Sequence, residues 1–290
     1  MVPWTNNLKR FYIISRDQQE KNLAFINEIL DYIKRKGGSG SYGMNPEDED
    51  TNSRPLSIPK DTECILTVGG DGTLIRAAQN TFGSQIPLLG INRGHLGYLC
   101  DLDEDTVFSA IDRLFEDDYE MEERMMISGH VEHLKGMSNE VSALNDIVIC
   151  STGGLQVINL TIYVNRQYLY SYNCDGMIFS TPTGSTAYNL SANGPIVDPK
   201  TNLILLTPIN PHTLNSRSIV LDQEDEIAVE VGRRRSDVQE TAEISFDGNH
   251  KQILQPGERL IVHKAQQKTQ MIRLSEMNFL ERIRSKMQAD

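Results

Sequence analysis

Cys64-Ile65-Leu66-Thr67-Val68-Gly69-Gly70-Asp71-Gly72-Thr73 is the stretch on which the fold of the first part of this chain turns. Cys64 to Val68 is a short, mostly apolar run broken only by Thr67, the pattern of a strand buried on both faces. Gly69, Gly70 and Gly72 follow at once, where backbone must turn sharply or approach a ligand closely. A helix is expected from Thr73. Its free N–H groups and partial positive charge suit phosphate oxygens. The spacing matches neither GxxxxGK[ST] nor GxGxxG. One reading is a plain strand-to-helix turn capped by Asp71. The other gives the cap to Thr73 and leaves Asp71 pointing at whatever the glycines cradle. An aspartate beside phosphate is repelled unless a proton or a metal intervenes, so this second reading implies chemistry: accepting a hydroxyl proton or helping to hold Mg²⁺.

Working outward, strands and helices alternate. Phe11 to Ser15 reads as a strand, and Asp17 as the cap of a helix carrying Leu23, Ile26, Leu30 and Ile33 and ending at Lys36. Gly37 to Lys60 reads as a loop, with Glu47 to Asp50 a solvated acidic run. Pro87 to Ile91 is a strand, and Val107, Ala110, Ile111 and Leu114 mark a helix. Such alternation predicts an α/β domain with a mostly parallel sheet over 1–121. From 122 to 264 strands dominate. Ile158, Leu160, Ile162 and Val164 alternate with polar residues, Asn165 to Gln167 turns, and Tyr168, Tyr170 and Tyr172 alternate on the way back. Ile227, Val229, Val231, Ile244 and Phe246 repeat the period, predicting a β-rich, sandwich-like second domain. In the last segment, 265–290, Phe279, Leu280, Ile283 and Met287 predict an amphipathic helix returning to the first domain.

The net charge is −12 at pH 7, which opposes nucleic acid and anionic membranes. No apolar run is long enough to span a bilayer. Met1 to Arg10 does not read as a secretory signal. The four cysteines, Cys64, Cys100, Cys150 and Cys174, are scattered without metal-ligand spacing, which fits reduced thiols and a cytoplasmic protein. An anionic substrate therefore needs local help from backbone N–H groups, a few arginines or a metal ion.

The richest stretch is DGMIFSTPTGSTAYNLSANGPIV, Asp175 to Val197. A strand runs into small hydroxyls, glycines and a tyrosine, able to bond sugar hydroxyls, phosphates and a carboxamide. By composition alone it also fits a polar surface loop. In order, VGGDGT (Val68 to Thr73), GINRGHLGYL (Gly90 to Leu99), ALNDIVI (Ala143 to Ile149), the Asp175 to Val197 string, TPINPHTLNSRSIV (Thr207 to Val220) and FDGN (Phe246 to Asn249) resemble the successive motifs of the NAD kinase family. The likeness spans Arg10 to Leu274. The glycine turn is shared with lipid kinases of the diacylglycerol and sphingosine type and with phosphofructokinases; STPTGSTAY behind a DG is far more specific.

The resemblance implies phosphoryl transfer from ATP, or another phosphoryl donor, to the 2′-hydroxyl of the adenosine ribose of NAD, with Mg²⁺, in a homodimer or homotetramer. It implies Asp71 as general base, with Gly69, Gly70, Gly72 and Thr73 at the phosphates, and adds Arg76 and Asn92. Asn145 and Asp146 would bind NAD hydroxyls and amides; Asp146 is one methylene shorter than the usual Glu. Asp175 would contact the nicotinamide or its ribose, and Thr186, Ala187, Tyr188, Asn189 and Ser191 the adenosine end. Asn249 stands where relatives often have Gln, and His250 lies within reach of the dinucleotide. Asn173 replaces an Arg of some members and brings no charge, so the acid of Asp175 should favour the cationic ring of NAD over NADH. Asn193 replaces a glycine, and tolerates the left-handed region better than most residues. His95 and His212 read as structural. No metal ligands are assigned. A lipid kinase remains the rival enzyme reading and would need an apolar cleft in the second domain. A dinucleotide sensor is the non-enzyme rival, and the presence of Asp71 speaks against it.

Overall fold

A computed structural model describes residues 7–15, 19–44, 56–94, 97–152, 157–213, 216–232, 241–275 and 277–288. Asp17, His95 and the Glu47 to Asp50 run lie outside the described residues. The chain divides into two units, 1–123 with 269–290, and 124–268.

In the first unit the strands Arg10–Ser15, Cys64–Val68 and Leu88–Ile91 pair in parallel, with Phe11 opposite Cys64 and Ile65 opposite Leu88. All five residues of Cys64–Val68, Thr67 included, are buried, as in a central strand of a parallel sheet. The sheet order is Ser39–Met44, Arg10–Ser15, Cys64–Val68, Leu88–Ile91, Thr269–Arg273, Glu120–Arg124. Helices Glu20–Arg35 and Val107–Phe115 add Ile26, Ile29, Ile33, Ile111 and Leu114 to the core that Ile13, Leu66 and Ile91 form.

One expectation needs correction here. Part of Gly37 to Lys60 is a strand, Ser39–Met44, paired in parallel with Arg10–Ser15 at the sheet edge. Its sequence, SGSYGM, carries no apolar alternation because the strand is held by its backbone ladder, and most of its residues are exposed. The terminal helix, Phe279–Gln288, returns to the first unit as expected, with Phe279 and Ile283 half-buried and Leu280 and Met287 68% and 66% exposed. Its buried residue is Arg282. The Arg282 guanidinium donates to the carbonyls of Tyr98 (2.8 Å) and Cys100 (3.2 Å) and pairs with Asp101 at 2.7 Å. The other Asp101 oxygen accepts the N–H groups of Leu274 and Ser275, both at 2.7 Å. Arg282→Ala leaves a buried carboxylate without its cation, for an expected loss of about 3–5 kcal/mol in urea unfolding. A loss under about 0.5 kcal/mol, the scale of an ordinary surface substitution, would show that water replaces the guanidinium.

The second unit is an antiparallel sandwich. One sheet runs Gln167–Cys174, Ile158–Val164, Ile227–Val231, Arg259–Lys264, Ile127–His133, Gly136–Met137, with Val141–Ala143 also pairing to Ile127–His133. The other runs Ile219–Asp222, Leu203–Ile209, Gly176–Ser180, Asp146–Ser151, Ala242–Phe246, Asn249–Leu254. Period-two residues of both sheets, among them Leu160, Ile162, Val229, Ile149, Phe179 and Phe246, share one core. Asn165 and Arg166 take φ of 50° and 65°, the two-residue hairpin turn that matches strand twist.

Candidate functional site

In the first unit, the glycine turn joins Cys64–Val68 to helix Asp71–Asn80. Gly69 donates its N–H to the Ile91 carbonyl at 2.9 Å, and a Cβ there would lie 2.2 Å from the Thr73 hydroxyl. Gly70 and Gly72 face open space, so the backbone beside the helix N-terminus is accessible to a ligand. Neither Thr73 nor Asp71 holds the cap position of this helix, which falls on Gly70. The Asp71 carboxylate is also not left pointing into open space. It accepts the N–H groups of Tyr98 (2.6 Å), Leu99 (3.2 Å) and Cys100 (3.0 Å). Gly97 makes room for it, since a Cβ there would lie 2.1 Å from Asp71 Oδ1. Burial, and then the adjacent Asp71 charge, push the Cys100 thiol up. Arg76 is half-buried on the same helix. Asn92 is buried and donates to the Gly94 carbonyl at 3.1 Å, shaping the segment that leads to Tyr98.

In the second unit, Leu144, Asn145 and Asp146 donate their N–H groups to the Asp247 carboxylate at 2.7, 2.7 and 2.9 Å. Asp247 and Gly248, at φ 51° and 73°, are the tight turn of a hairpin in which Phe246 opposes Asn249. Thr181 clamps the same segment, its N–H donating to Asn145 O (2.8 Å) and its hydroxyl to Leu144 O (2.6 Å). Gly184 packs so closely that a Cβ would sit 2.1 Å from the Asn145 carbonyl oxygen. Three of the motifs read from sequence are thus one structure. Asn145 Oδ1 is buried and has no hydrogen-bond partner among the described residues. Such an atom costs about 1–3 kcal/mol unless a ligand or water supplies a donor.

Asp146 is buried, and burial together with the Asp247 charge pushes its carboxyl up to about 8. Burial also raises Asp247, to about 6, against its N–H bonds. Asp146 is therefore the one that keeps its proton near neutrality. The sign follows. As pH rises above about 4 the unfolded chain ionises Asp146 while the folded protein still holds the proton, so stability falls until pH passes the folded value. The free energy of urea unfolding should decline from pH 5 to pH 8 by on the order of a few kcal/mol, and Asp146→Asn should flatten that slope. An identical slope in the variant overturns the assignment.

Tyr188 is 45% exposed, and its phenol is raised first by partial burial, then by the nearby Cys150, Asp146 and Asp175 charges. Asp175 is half-buried and accepts from Asn210 at 2.9 Å. Asn173 is exposed, with its amide oxygen accepting from Asn159 at 3.0 Å. Thr186 and Ala187 are half-buried, and Ser191 and His250 are exposed. Asn249 donates to Asp247 O at 3.2 Å. Asn193 takes φ 63°, so the glycine replacement does hold a left-handed turn. Asn189 differs from its neighbours in exposure. It is fully buried; its amide donates to Ser185 O (3.1 Å) and Pro195 O (3.0 Å), and its oxygen accepts from Thr207 (2.7 Å). These bonds are internal, so Asn189 braces the loop. Sequence reasoning missed Asp247 and the Gly97 to Cys100 backbone. The Asp-Gly pair inside FDGN was the available signal for the first.

A glycine turn opening on a helix N-terminus in one unit, and a buried polar loop with an unmet acceptor in an antiparallel sandwich in the other, define a nucleotide-handling α/β–β enzyme class. Family models place it within that class: residues 12–119 match the ATP-NAD kinase N-terminal domain and 144–274 the ATP-NAD kinase C-terminal domain. The chain is 46% identical over 282 residues to the NAD kinase of Agathobacter rectalis, covering 97% of this chain and 99% of that one. It is 37% identical over 281 residues to the NAD kinase of Lachnoclostridium phytofermentans, covering 96% and 99%. The fold is shared with yeast NADH kinase complexed with NADH (TM-score 0.86, 23% identity, 98% and 89% covered) and with an Archaeoglobus fulgidus NAD kinase in complex with ATP (0.76, 24%, 95% and 99%). The chain belongs to the NAD kinase family. It is an enzyme of phosphoryl transfer to NAD, and the lipid-kinase and sensor readings fall away.

Proposed function

We propose that this enzyme transfers the terminal phosphoryl group of ATP to the 2′-hydroxyl of the adenosine ribose of NAD, giving NADP and ADP. The observation that carries the reading is the buried, unpartnered Asn145 Oδ1 beside a protonated Asp146: one acceptor and one donor, suited to ribose hydroxyls and amide groups. Tyr188, Thr186, Ala187 and Ser191 border the adenosine end, Asp175 and Asn173 the nicotinamide end, and Asn249 and His250 complete the dinucleotide contacts. Gly69, Gly70, Gly72 and Thr73 present the helix N-terminus to the donor phosphates, with Arg76 and Asn92 nearby in sequence. As the ribose oxygen bonds to the phosphorus and the bond to ADP breaks, the hydroxyl proton passes to Asp71.

Among the described residues, no cluster of metal-ligating side chains includes Asp71. The fit is instead to Mg²⁺ arriving on the triphosphate, held by phosphate oxygens and water beside the open faces of Gly70 and Gly72. When bound, the ion neutralises charge developing on the phosphates. The enzyme works in the cytoplasm, in keeping with its free cysteines. It prefers NAD to NADH, because Asp175 favours the cationic ring.

One assay tests the reading. Pure protein with Mg²⁺-ATP and either NAD or NADH should convert NAD with the higher kcat/KM, and mass spectrometry and phosphorus NMR should find the new phosphate at the 2′ position. Phosphate elsewhere on the dinucleotide overturns the proposal, and equal use of NADH overturns the role of Asp175. The chain also assembles as a homodimer or homotetramer through its β-rich unit. The edge strand Gln167–Cys174, with Tyr168 and Tyr170 exposed at 60% and 47%, supports this. Light scattering at micromolar concentration should report two or four chains; a single-chain mass overturns it.

A further inference from the structure

The sandwich carries a second cluster of chemistry outside everything assigned above. In the Ile127–His133 strand, Ile127 and Val131 enter the core, so His130 stands on the opposite face. In the neighbouring Arg259–Lys264 strand, Leu260 and Val262 enter the core, and His263 shares the face of His130. Ile261 pairs with His130, so His263 is its diagonal neighbour. On the other side Val141 pairs with Gly129, and Glu140, one residue further along, falls beside His130. Three adjacent strands thus bring two imidazoles and a carboxylate together, with ligand atoms all within 4.8 Å of one another.

The details favour a metal over a simple ion pair. His263 Nδ1 lies 2.9 Å from the Lys264 carbonyl, which fixes the proton on Nδ1 and turns the Nε2 lone pair outward. Nε2 is 3.1 Å from Glu140 Oε2. Two ligands at ~2.0–2.1 Å on a tetrahedral ion stand about 3.3 Å apart, so this pair is already spaced for a shared cation. His130 adds a third donor that an ion pair does not need; its ring centre is 6.3 Å from that of His263. Glu140 and His263 keep 46% and 28% of their side-chain surface exposed, leaving an entry path and a position for water.

We propose that His130, Glu140 and His263 form a site for a borderline divalent transition ion of the zinc type, with three protein ligands and an open fourth position. The site is independent of the substrate Mg²⁺, which prefers oxygen ligands. Chelator-treated, tag-free protein titrated with zinc chloride in a calorimeter should bind one ion per chain at this site, undiminished by millimolar Mg²⁺. Loading with Co²⁺ should produce the visible absorption of a four-coordinate ion. His130→Ala and His263→Ala should each weaken binding by more than about 100-fold, since removing a ligand costs at least as much as removing the group that orients one. Glu140→Gln, on an exposed side chain that cannot threaten the fold, should weaken it as well. Cys150→Ser should leave it intact. Zinc binding unchanged in all three ligand variants, binding lost only in Cys150→Ser, or no saturable binding at one ion per chain each overturn the proposal.

Discussion

Asp71→Asn should lower kcat by ~10²–10⁴-fold, the range for loss of a general base, while KM for NAD changes little. The same substitution should cost stability. Asp71 accepts from Tyr98, Leu99 and Cys100, and an asparagine turns an NH₂ group toward one part of that row of donors. An expected loss of about 1–3 kcal/mol in urea unfolding accompanies the kinetic effect. The two roles separate in one further variant. Gly97→Ala crowds Asp71 Oδ1 without removing the carboxylate, so it should displace the acid and reduce kcat while the charge remains. If Asp71→Asn keeps more than about a tenth of wild-type kcat, Asp71 is not the base and its carboxylate serves only to hold the loop.

Asp247→Ala should be the most damaging change in the second unit. It removes the acceptor of the Leu144, Asn145 and Asp146 N–H groups at once. At about 1–3 kcal/mol for each buried donor left unmet, the loss approaches the whole stability of an ordinary domain if water does not enter. Because those N–H bonds also aim Asn145, the fraction that folds should show KM for NAD raised at least tenfold, about 1.4 kcal/mol of lost binding. Asp247→Asn provides the milder test, retaining one oxygen. It should also let the Asp146 carboxyl fall, since a charge raising it is gone. Unchanged KM and an unchanged urea midpoint in both variants would mean that Asp247 anchors nothing.

The alternating fold of the first unit was legible because its strands and helices announce themselves locally. Cys64–Val68 is apolar but for Thr67, and Val107, Ala110, Ile111 and Leu114 recur at helical spacing, all of them buried. The sandwich was legible for the same reason, since Ile158, Leu160 and Ile162 alternate into one core. The Ser39–Met44 strand was not, because an edge strand held by its ladder needs no apolar period. The family was legible in ordered motifs, whose small and polar residues are constrained by close backbone approach: Gly184 admits no Cβ against Asn145, nor Gly97 against Asp71.

Tertiary structure decided what each polar side chain faces. Sequence could place Asp71 after two glycines but not turn its carboxylate toward a loop 27 residues away. Asn189 reads like its neighbours in the STPTGSTAY string, yet burial and its hydrogen bonds make it a brace. Arg282 sits in a helix where Phe279 and Ile283 are only half-buried, and its buried ion pair with Asp101 was not legible from the apolar period. Periodicity reports which face of an element is buried, because apolar burial is local in pattern and roughly proportional to area. A hydrogen bond depends on two atoms within about 3 Å, often far apart in the chain, and that distance exists only once the whole chain has folded.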